Sequence, residues 1–209
     1  MDPAPEKYRP GSDTALAELV EQNPFAWVVS AGGGFSATPL PVRPRLDSQG
    51  RLVALAGHFA RSNPHLERLR SDPRALFLFM GPHAYVSASW LSDRSQAPTW
   101  NYASAAFECG VELTEDPAEI DALLRDLIDS MEHGRPDAWS PEEMGERYAR
   151  LSRGVVGFTA PIRAARPAFK LGQDESEGQF DEIVSALESE APQTAKLMRD
   201  FRPLQSGNS

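Results

Sequence analysis

In the segment NYASAAFECGVEL, residues 101–113, every second residue after Asn101 is small or apolar. A period of two places one set of side chains on one face of a β-strand, so the segment predicts a long strand with one buried face. The predicted buried set is Asn101, Ala103, Ala105, Phe107, Cys109, Val111 and Leu113. A strand of this length needs neighbours, so the fold must be built around a sheet.

Further strands are predicted where β-branched and aromatic residues cluster between turn residues. They are FAWVVS (25–30), FSATPLPV (35–42), RLVALAG (51–57), RALFLFMG (74–81) and GVVGFTAPI (154–162). Pro39 and Pro41 predict an edge or a break in the second of these strands, and Gly81-Pro82 predicts a turn after the fourth. Because the connections are mostly short and lack regular strand–helix alternation, a mainly β fold with appended helices is favoured, a closed or split antiparallel β-barrel.

Helical signals lie at both ends of the chain and in one insertion. Asp13 predicts the N-cap of a first helix, and apolar residues recur at helical spacing after Asp116-Pro117. We therefore expect a single split-barrel domain over residues 1–209, with inserted helices at about 117–152 and a C-terminal helix at about 178–200.

Composition excludes several classes of protein. The net charge of −9 and a pI near 5.0 argue against a broad basic surface for duplex DNA, and no helix-turn-helix or basic arm is recognisable. No apolar run approaches the ~18 residues of a membrane span, and no signal peptide is recognisable, so a cytoplasmic protein is expected. Cys109 is the only cysteine, which excludes an intramolecular disulfide, and the four histidines lack a metal-binding spacing.

Two polar clusters stand out as candidate binding residues. His58, Arg61, Ser62 and Asn63 precede a short predicted helix, which is either an anion site or a capped connector. The stretch 81–102 has stacking faces and hydrogen-bond donors. Read with period two, its first strand places Ala84, Val86, Ala88 and Trp90 on a core face and His83, Tyr85, Ser87 and Ser89 on the other. A ligand with a phosphate at one end and a planar ring at the other would use both clusters, and FMN has that shape.

The segments GHFARSNP, FMGPHAYVSASW, PTWNY, GVVGF and KLGQD occur in an order and spacing that resemble the PaiB-type FMN-binding negative transcriptional regulators. That family is related to the flavin split-barrel proteins, which include the pyridoxamine-phosphate oxidases. The resemblance covers nearly the whole chain. It implies a homodimer of FMN-binding split β-barrels, with FMN in a groove at the subunit interface.

The resemblance also implies residue roles. It places His58, Arg61, Ser62 and Asn63 near the flavin phosphate, and Tyr85, Ser87, Trp100 and Asn101 toward the flavin or its pocket wall. Lys170 and Gln173 match a Lys-Leu-Ser-Gln-Asn motif that contributes to the pocket. No catalytic residue and no metal ligand is predicted.

The chain departs from the family pattern at three places. Pro39 stands where the family commonly has His, Leu66 where it has Trp, and Gly172 and Asp174 replace Ser and Asn of the last motif. An added carboxylate near a phosphate would oppose binding. Three functions are therefore considered: a negative transcriptional regulator acting through a flavin-binding homodimer, a flavin-dependent oxidoreductase of a small molecule, and a cofactor-free dimeric scaffold. Direct nucleic-acid binding is not expected.

Overall fold

A computed structural model of the chain describes residues 5–10, 12 and 14–205, without the side chains of 203–205. The predicted N-cap Asp13 lies outside these residues. The described strands are β1 Phe25–Ser30, β2 Ser36–Leu46, β3 Leu52–Ala60, β4 Arg74–Val86, β5 Thr99–Gly110, β6 Glu112–Thr114 and β7 Val155–Lys170. The described α-helices are α1 Thr14–Gln22, α2 His65–Ser71, α3 Pro117–Glu132, α4 Glu146–Ser152, α5 Glu177–Glu190 and α6 Pro192–Gln205.

The chain divides into two compact units. The first, the barrel unit, comprises Val20–Phe79 and Ala106–Ala165. The second, the terminal unit, comprises Met1–Leu19, Met80–Ala105 and Arg166–Ser209. Strands β4, β5 and β7 contribute residues to both units.

The sheet closes on itself. Its strand order is β3-β2-β1-β4-β5-β7-β6, and β3 also pairs with β7. The pairs β1–β2, β1–β4, β2–β3 and β3–β7 are antiparallel. Six strands therefore form a closed antiparallel barrel, to which β6 adds a short strand beside β7. This confirms the predicted fold, an antiparallel β-barrel with appended helices.

An aromatic cluster fills the centre of the barrel unit. The fully buried ring of Phe158 lies 5.4 Å from that of Phe59 and 5.7 Å from that of Phe77, measured between ring centroids. At Gly57 an added Cβ would lie 2.9 Å from the Phe158 ring and 2.9 Å from the carbonyl oxygen of Pro41. Only glycine leaves room for this ring between β2 and β7.

Strand β4 differs from its prediction at two points. It runs straight through Gly81-Pro82, where a turn was predicted, and it ends at Val86. Pairing with β1 covers only residues 76–78, so no hydrogen bond to β1 is lost through the missing N–H of Pro82. Past Val86, the Ser87 hydroxyl accepts the backbone N–H of Ser89 and caps a 3₁₀ turn, Ala88–Trp90. The strand prediction for Ala88–Trp90 is therefore wrong.

The prolines of β2 lie where that strand pairs on one side only. Residues 36–41 pair with β1, whereas residues 42–46 pair with β3. Pro39 and Pro41 belong to the first stretch, whose other side has no partner in the described ladder. The chain thus tolerates both missing N–H groups, and the predicted edge is observed.

Helix α3 covers the outer face of β2 and β3 in the barrel unit. Asp116 caps it by accepting the backbone N–H groups of Ala118 and Glu119 at 2.9 and 3.0 Å. On the same face, Arg43 and Arg45 of β2 form ion pairs with Asp126 of α3. The predicted insertion contains α3, a 3₁₀ turn Pro141–Met144 and α4.

The residues of the predicted C-terminal helix form two helices, α5 and α6, which pack together in the terminal unit. Helix α5 ends with Ala191 as its C-cap, because the next residue, Pro192, cannot continue that helix. Their buried apolar residues include Phe180, Ile183, Leu187, Met198 and Phe201. No helix among the described residues combines the length and hydropathy that crossing a bilayer requires.

Candidate functional site

The first group of predicted site residues lies in the barrel unit, where the chain leaves β3. The backbone N–H of Arg61 donates to the carbonyl of Gly154 at 2.8 Å. The Arg61 side chain donates to the carbonyls of Arg153 and Val155 at 2.9 and 3.1 Å. Main-chain oxygens therefore fix the direction of a guanidinium that is 42% exposed.

A carboxylate not predicted from the sequence faces Arg61. Glu115, which follows β6, accepts from Arg61 at 2.5 Å and from Arg70 at 2.9 Å, one with each oxygen. These hydrogen bonds, that of Arg61 first, lower the pKa of the Glu115 carboxyl. Glu115 thus bridges two arginines, and a separation of 54 residues from Arg61 gave no local signal of this contact.

The side chain of Asn63 forms hydrogen bonds within the barrel unit, one with a backbone group and one with a side chain. Its Oδ1 accepts the backbone N–H of His65 at 2.9 Å, which is the predicted capping contact for α2. Its amide nitrogen donates to the Thr38 hydroxyl at 3.4 Å. Ser62 is exposed beside Arg61. Asn63 therefore already has partners, whereas Ser62 faces solvent.

His58 lies within β3, three residues before Arg61. It pairs with Gly157 of β7, where an added Cβ would contact Leu123 of α3. Directly opposed residues of antiparallel strands share a face, so His58 lies on the face that α3 covers. Burial lowers the pKa of His58, and its buried Nδ1 has no hydrogen-bond partner among the described residues. The imidazole is therefore neutral at pH 7.

The second group lies in the terminal unit and centres on exposed aromatic rings. Trp100 is 54% exposed and Tyr85 is 46% exposed, and their ring centroids lie 5.9 Å apart, edge to face. The ring of His83, which was not assigned to the site, lies 6.4 Å from that of Trp100. His83 Nδ1 donates to the carbonyl of Gly81 at 2.9 Å. These three rings present an apolar surface edged by polar atoms.

Lys170 adds a positive charge to this group. Its Nζ donates to the Thr99 hydroxyl and to the Trp100 carbonyl oxygen, at 3.1 Å for the latter. Among the described residues, no carboxylate lies within ion-pair distance of Nζ. Lys170 is thus held by neutral oxygens that leave its charge unbalanced.

Three other predicted residues of the terminal unit have internal partners. Gln173 donates to the Phe169 carbonyl and accepts the N–H of Leu171, which closes its own loop. Asn101 is 2% exposed and donates to the sulfur of Met198 at 3.4 Å. The Ser87 hydroxyl lies 2.8 Å from that of Ser89. The hydrogen bonds of these three side chains are therefore made within the terminal unit.

The structure accounts for two of the departures from the family pattern, Gly172 and Asp174. Gly172 has a φ of +82°, a conformation that favours glycine. The Asp174 carboxylate accepts from Lys7 Nζ at 2.7 Å. The added negative charge is therefore offset by a lysine 167 positions away in sequence.

Neither cysteine nor metal chemistry is supported by the described residues. Cys109 is buried, and burial raises the pKa of its thiol to about 12. A thiol with this pKa stays protonated at neutral pH and is a poor nucleophile. The described part of the chain contains no group of three or more His, Cys, Asp or Glu side chains suited to a metal ion.

Solved structures share the fold of this chain. The FAD and heme binding protein from Mycobacterium smegmatis is 20% identical, with a TM-score of 0.59, covering 87% of this chain and 80% of that protein. A conserved hypothetical protein from Mycobacterium tuberculosis is 14% identical, with a TM-score of 0.57, covering 81% and 91%. At these identities the likeness establishes the barrel fold alone.

Sequence comparison identifies the family. Protease synthase and sporulation protein PAI 2 of Bacillus subtilis is 29% identical over 202 residues, 94% of this chain and 96% of that protein. A family model described as "Putative FMN-binding domain" matches residues 4–164. The resemblance noted from the sequence is thereby confirmed, and FMN is the cofactor that the family supports. The chain belongs to this FMN-binding domain family, within which it is of the PaiB type.

Proposed function

We propose that this protein acts as a negative regulator of transcription through an FMN-binding homodimer. The observation that carries the FMN part is the exposed Trp100–Tyr85 pair beside the unbalanced charge of Lys170, in a chain of an FMN-binding family. FMN needs a planar surface for its ring and cationic donors for its phosphate.

The aromatic rings fit the flavin ring. When a planar ligand ring covers a half-exposed aromatic ring, apolar surface of both rings is removed from water, which favours binding. Offset or edge contacts between such rings add about 0.5–1.5 kcal/mol per pair. We assign Trp100 and Tyr85 to this contact.

Arg61 of the barrel unit fits an anionic phosphate. It is held by two carbonyls, so little side-chain entropy would be lost when it binds a ligand oxygen. In the terminal unit, Lys170 places a charge without a carboxylate partner among the described residues beside the aromatic rings. The carboxylate of Asp174 is offset by Lys7 and opposes an anion less than the sequence suggested. His58, Ser62, Asn63, Ser87, Asn101 and Gln173 are retained as proposed pocket residues. Bound FMN would supply redox chemistry, which the side chains bind and orient.

Replacing Trp100 by alanine tests the ring contact. We expect the dissociation constant for FMN to rise about 10-fold or more, because a stacking surface is lost. The free energy of unfolding should change by less than about 1 kcal/mol, because the ring is half exposed. Flavin fluorescence titration and thermal unfolding measure the two quantities.

Trp139→Ala is the matched control, since Trp139 is also exposed but lies in the connection between α3 and α4 and is none of the proposed pocket residues. It should leave FMN affinity unchanged. Purified wild-type protein that neither carries flavin nor binds added FMN would refute the cofactor proposal. Equal affinities for Trp100→Ala and wild type would refute the assignment of Trp100.

An exposed apolar patch on the barrel unit supports the homodimer. It is formed by Phe25, Trp27, Pro39 and Leu78, and is called here the outer patch. Trp27 of β1 lies opposite Pro39 of β2 on one side and Leu78 of β4 on the other. Phe25 is 66% exposed and Trp27 is 52% exposed. Contiguous apolar surface without a charged member is typical of a protein interface, and we assign a second copy of the chain to it.

Trp27→Lys tests this interface. Burying an unpaired ammonium in an apolar contact is costly, so we expect the dimer dissociation constant to rise at least about 10-fold. Size-exclusion chromatography with light scattering across a concentration series measures it. Trp139→Lys makes the same change outside the outer patch and should behave as wild type. A wild-type protein that is monomeric at micromolar concentration would contradict the homodimer.

The regulatory role is supported by the likeness to PaiB-type proteins. A net charge of −9 disfavours contact with a phosphate backbone by the protein alone. We therefore propose that regulation passes through a protein partner or through sensing of the flavin.

A further inference from the structure

Glu115, Arg61 and Arg70 form a cluster on the surface of the barrel unit that has the form of an occupied anion site. Each oxygen of the Glu115 carboxylate accepts from a different guanidinium, at 2.5 Å from Arg61 and 2.9 Å from Arg70. All three side chains are about half exposed. Two guanidinium groups that share one anion are the arrangement by which arginines bind phosphate.

The two arginines do not depend on Glu115 for their positions. Arg61 is anchored by the carbonyls of Arg153 and Val155. Arg70 lies on α2 and also pairs with Glu67 at 2.9 Å. If Glu115 moved away, both guanidinium groups would keep a partner, and one donor edge of each would become free.

Glu115 has fewer constraints than the arginines it bridges. It lies after β6 and before the cap of α3, outside both elements. Among the described residues, the hydrogen-bond partners of its carboxylate are the two arginines. A rotation of one exposed side chain therefore suffices to open the cluster, with no change of the backbone.

We propose that Glu115 is an internal competitor for the flavin phosphate, which occupies Arg61 and Arg70 in the flavin-free protein and is displaced when the phosphate binds. This inference rests on the proposed role of Arg61 in binding FMN. Glu115 thus sets the affinity of the site: it keeps the two arginines paired in the absence of ligand and lowers their affinity for any anion.

The test compares Glu115→Gln with Glu67→Gln in the full-length protein. Both variants remove one exposed carboxylate that pairs with Arg70, but only the first releases Arg61. We expect Glu115→Gln to lower the dissociation constant for FMN about 3- to 10-fold, because an exposed competing ion pair and a nearby negative charge are both removed. Glu67→Gln should stay within about 2-fold of wild type.

Riboflavin, which has the same ring and no phosphate, separates the phosphate contact from the ring contact. Its affinity should be equal in wild type and Glu115→Gln. An equal gain for riboflavin and FMN would overturn the inference, and so would an unchanged or weaker affinity of Glu115→Gln for FMN. Thermal unfolding of each variant confirms that it is folded.

The inference and the proposed function fail differently. If wild type binds FMN but Glu115→Gln binds no better, the competitor role is refuted and FMN binding stands. If neither protein binds FMN, the proposed function is refuted and the inference with it.

Discussion

Replacing Phe158 by alanine is expected to lower the free energy of unfolding by about 3–5 kcal/mol. Phe158 is fully buried and contacts Phe59 and Phe77 across the barrel unit. Its ring also lies against Gly57, where an added Cβ would be 2.9 Å from the ring. The substitution therefore loses both the transfer free energy of the ring and the packing around the resulting cavity.

Urea unfolding at pH 7.5 measures this loss, and Phe35→Ala provides the control. Phe35 is 87% exposed, so the same chemical change there should alter the free energy of unfolding by less than about 0.5 kcal/mol. A loss below about 1 kcal/mol for Phe158→Ala would show that the barrel unit does not depend on this aromatic cluster.

Acid is expected to destabilise the protein through His65. This side chain is fully buried, with Ser30 Oγ 2.8 Å from Nε2 and Thr38 Oγ1 3.0 Å from Nδ1. The edge of the Phe59 ring closes another side. Burial, and then the nearby charge of Arg68, lower the pKa of His65 below its usual 6.5. The folded state therefore resists protonation of this imidazole.

The direction of the effect follows from proton binding. Below pH 6.5 the unfolded chain binds a proton at His65 that the folded chain binds only at lower pH, so stability falls as pH falls. The contribution is fully present above pH 6.5 and is lost as pH drops through the lowered pKa of the folded state. One such group changes the free energy of unfolding by at most about 1.4 kcal/mol per pH unit.

His65→Gln removes the titrating group and keeps a polar side chain. Urea unfolding between pH 7.5 and 5 should show a shallower pH dependence for this variant than for wild type, by up to one proton. His58, whose pKa is also lowered by burial, should leave a residual slope in both proteins. Identical slopes for the two proteins would rule out His65 as an acid-sensitive group.

The strand faces could be predicted where the alternation was uninterrupted. The predicted buried face of residues 101–111 is buried, from Asn101 to Val111, because side-chain alternation in a strand is a local property. Ala84 and Val86 of β4 are buried for the same reason. The prediction of a turn at Gly81-Pro82 was wrong, because β4 continues through both residues to Val86. Its pairing with β1 ends before them, at Leu78, so no hydrogen bond to β1 is lost at Pro82.

The sequence indicated which residues are candidates for the site, but it did not indicate which other side chains they contact. The sequence placed His58 and Arg61 together because they are three residues apart. In the structure His58 lies within β3 on the face under α3, and Arg61 lies beyond the end of that strand, where it contacts Glu115. The partners Glu115 and Lys7 are distant in sequence, so their ion pairs arise only from the topology of the fold.

Gly172 also has a steric relation to Met198 in the terminal unit. A side chain there would need a positive φ, and its Cβ would lie 3.2 Å from the Met198 methyl group. Met198 is fully buried on α6 and accepts the amide of Asn101. The serine that the family commonly has at this position therefore could not return without an adjustment at Met198. A Gly172→Ser substitution is therefore expected to strain the backbone at position 172 and to disturb the packing of Met198.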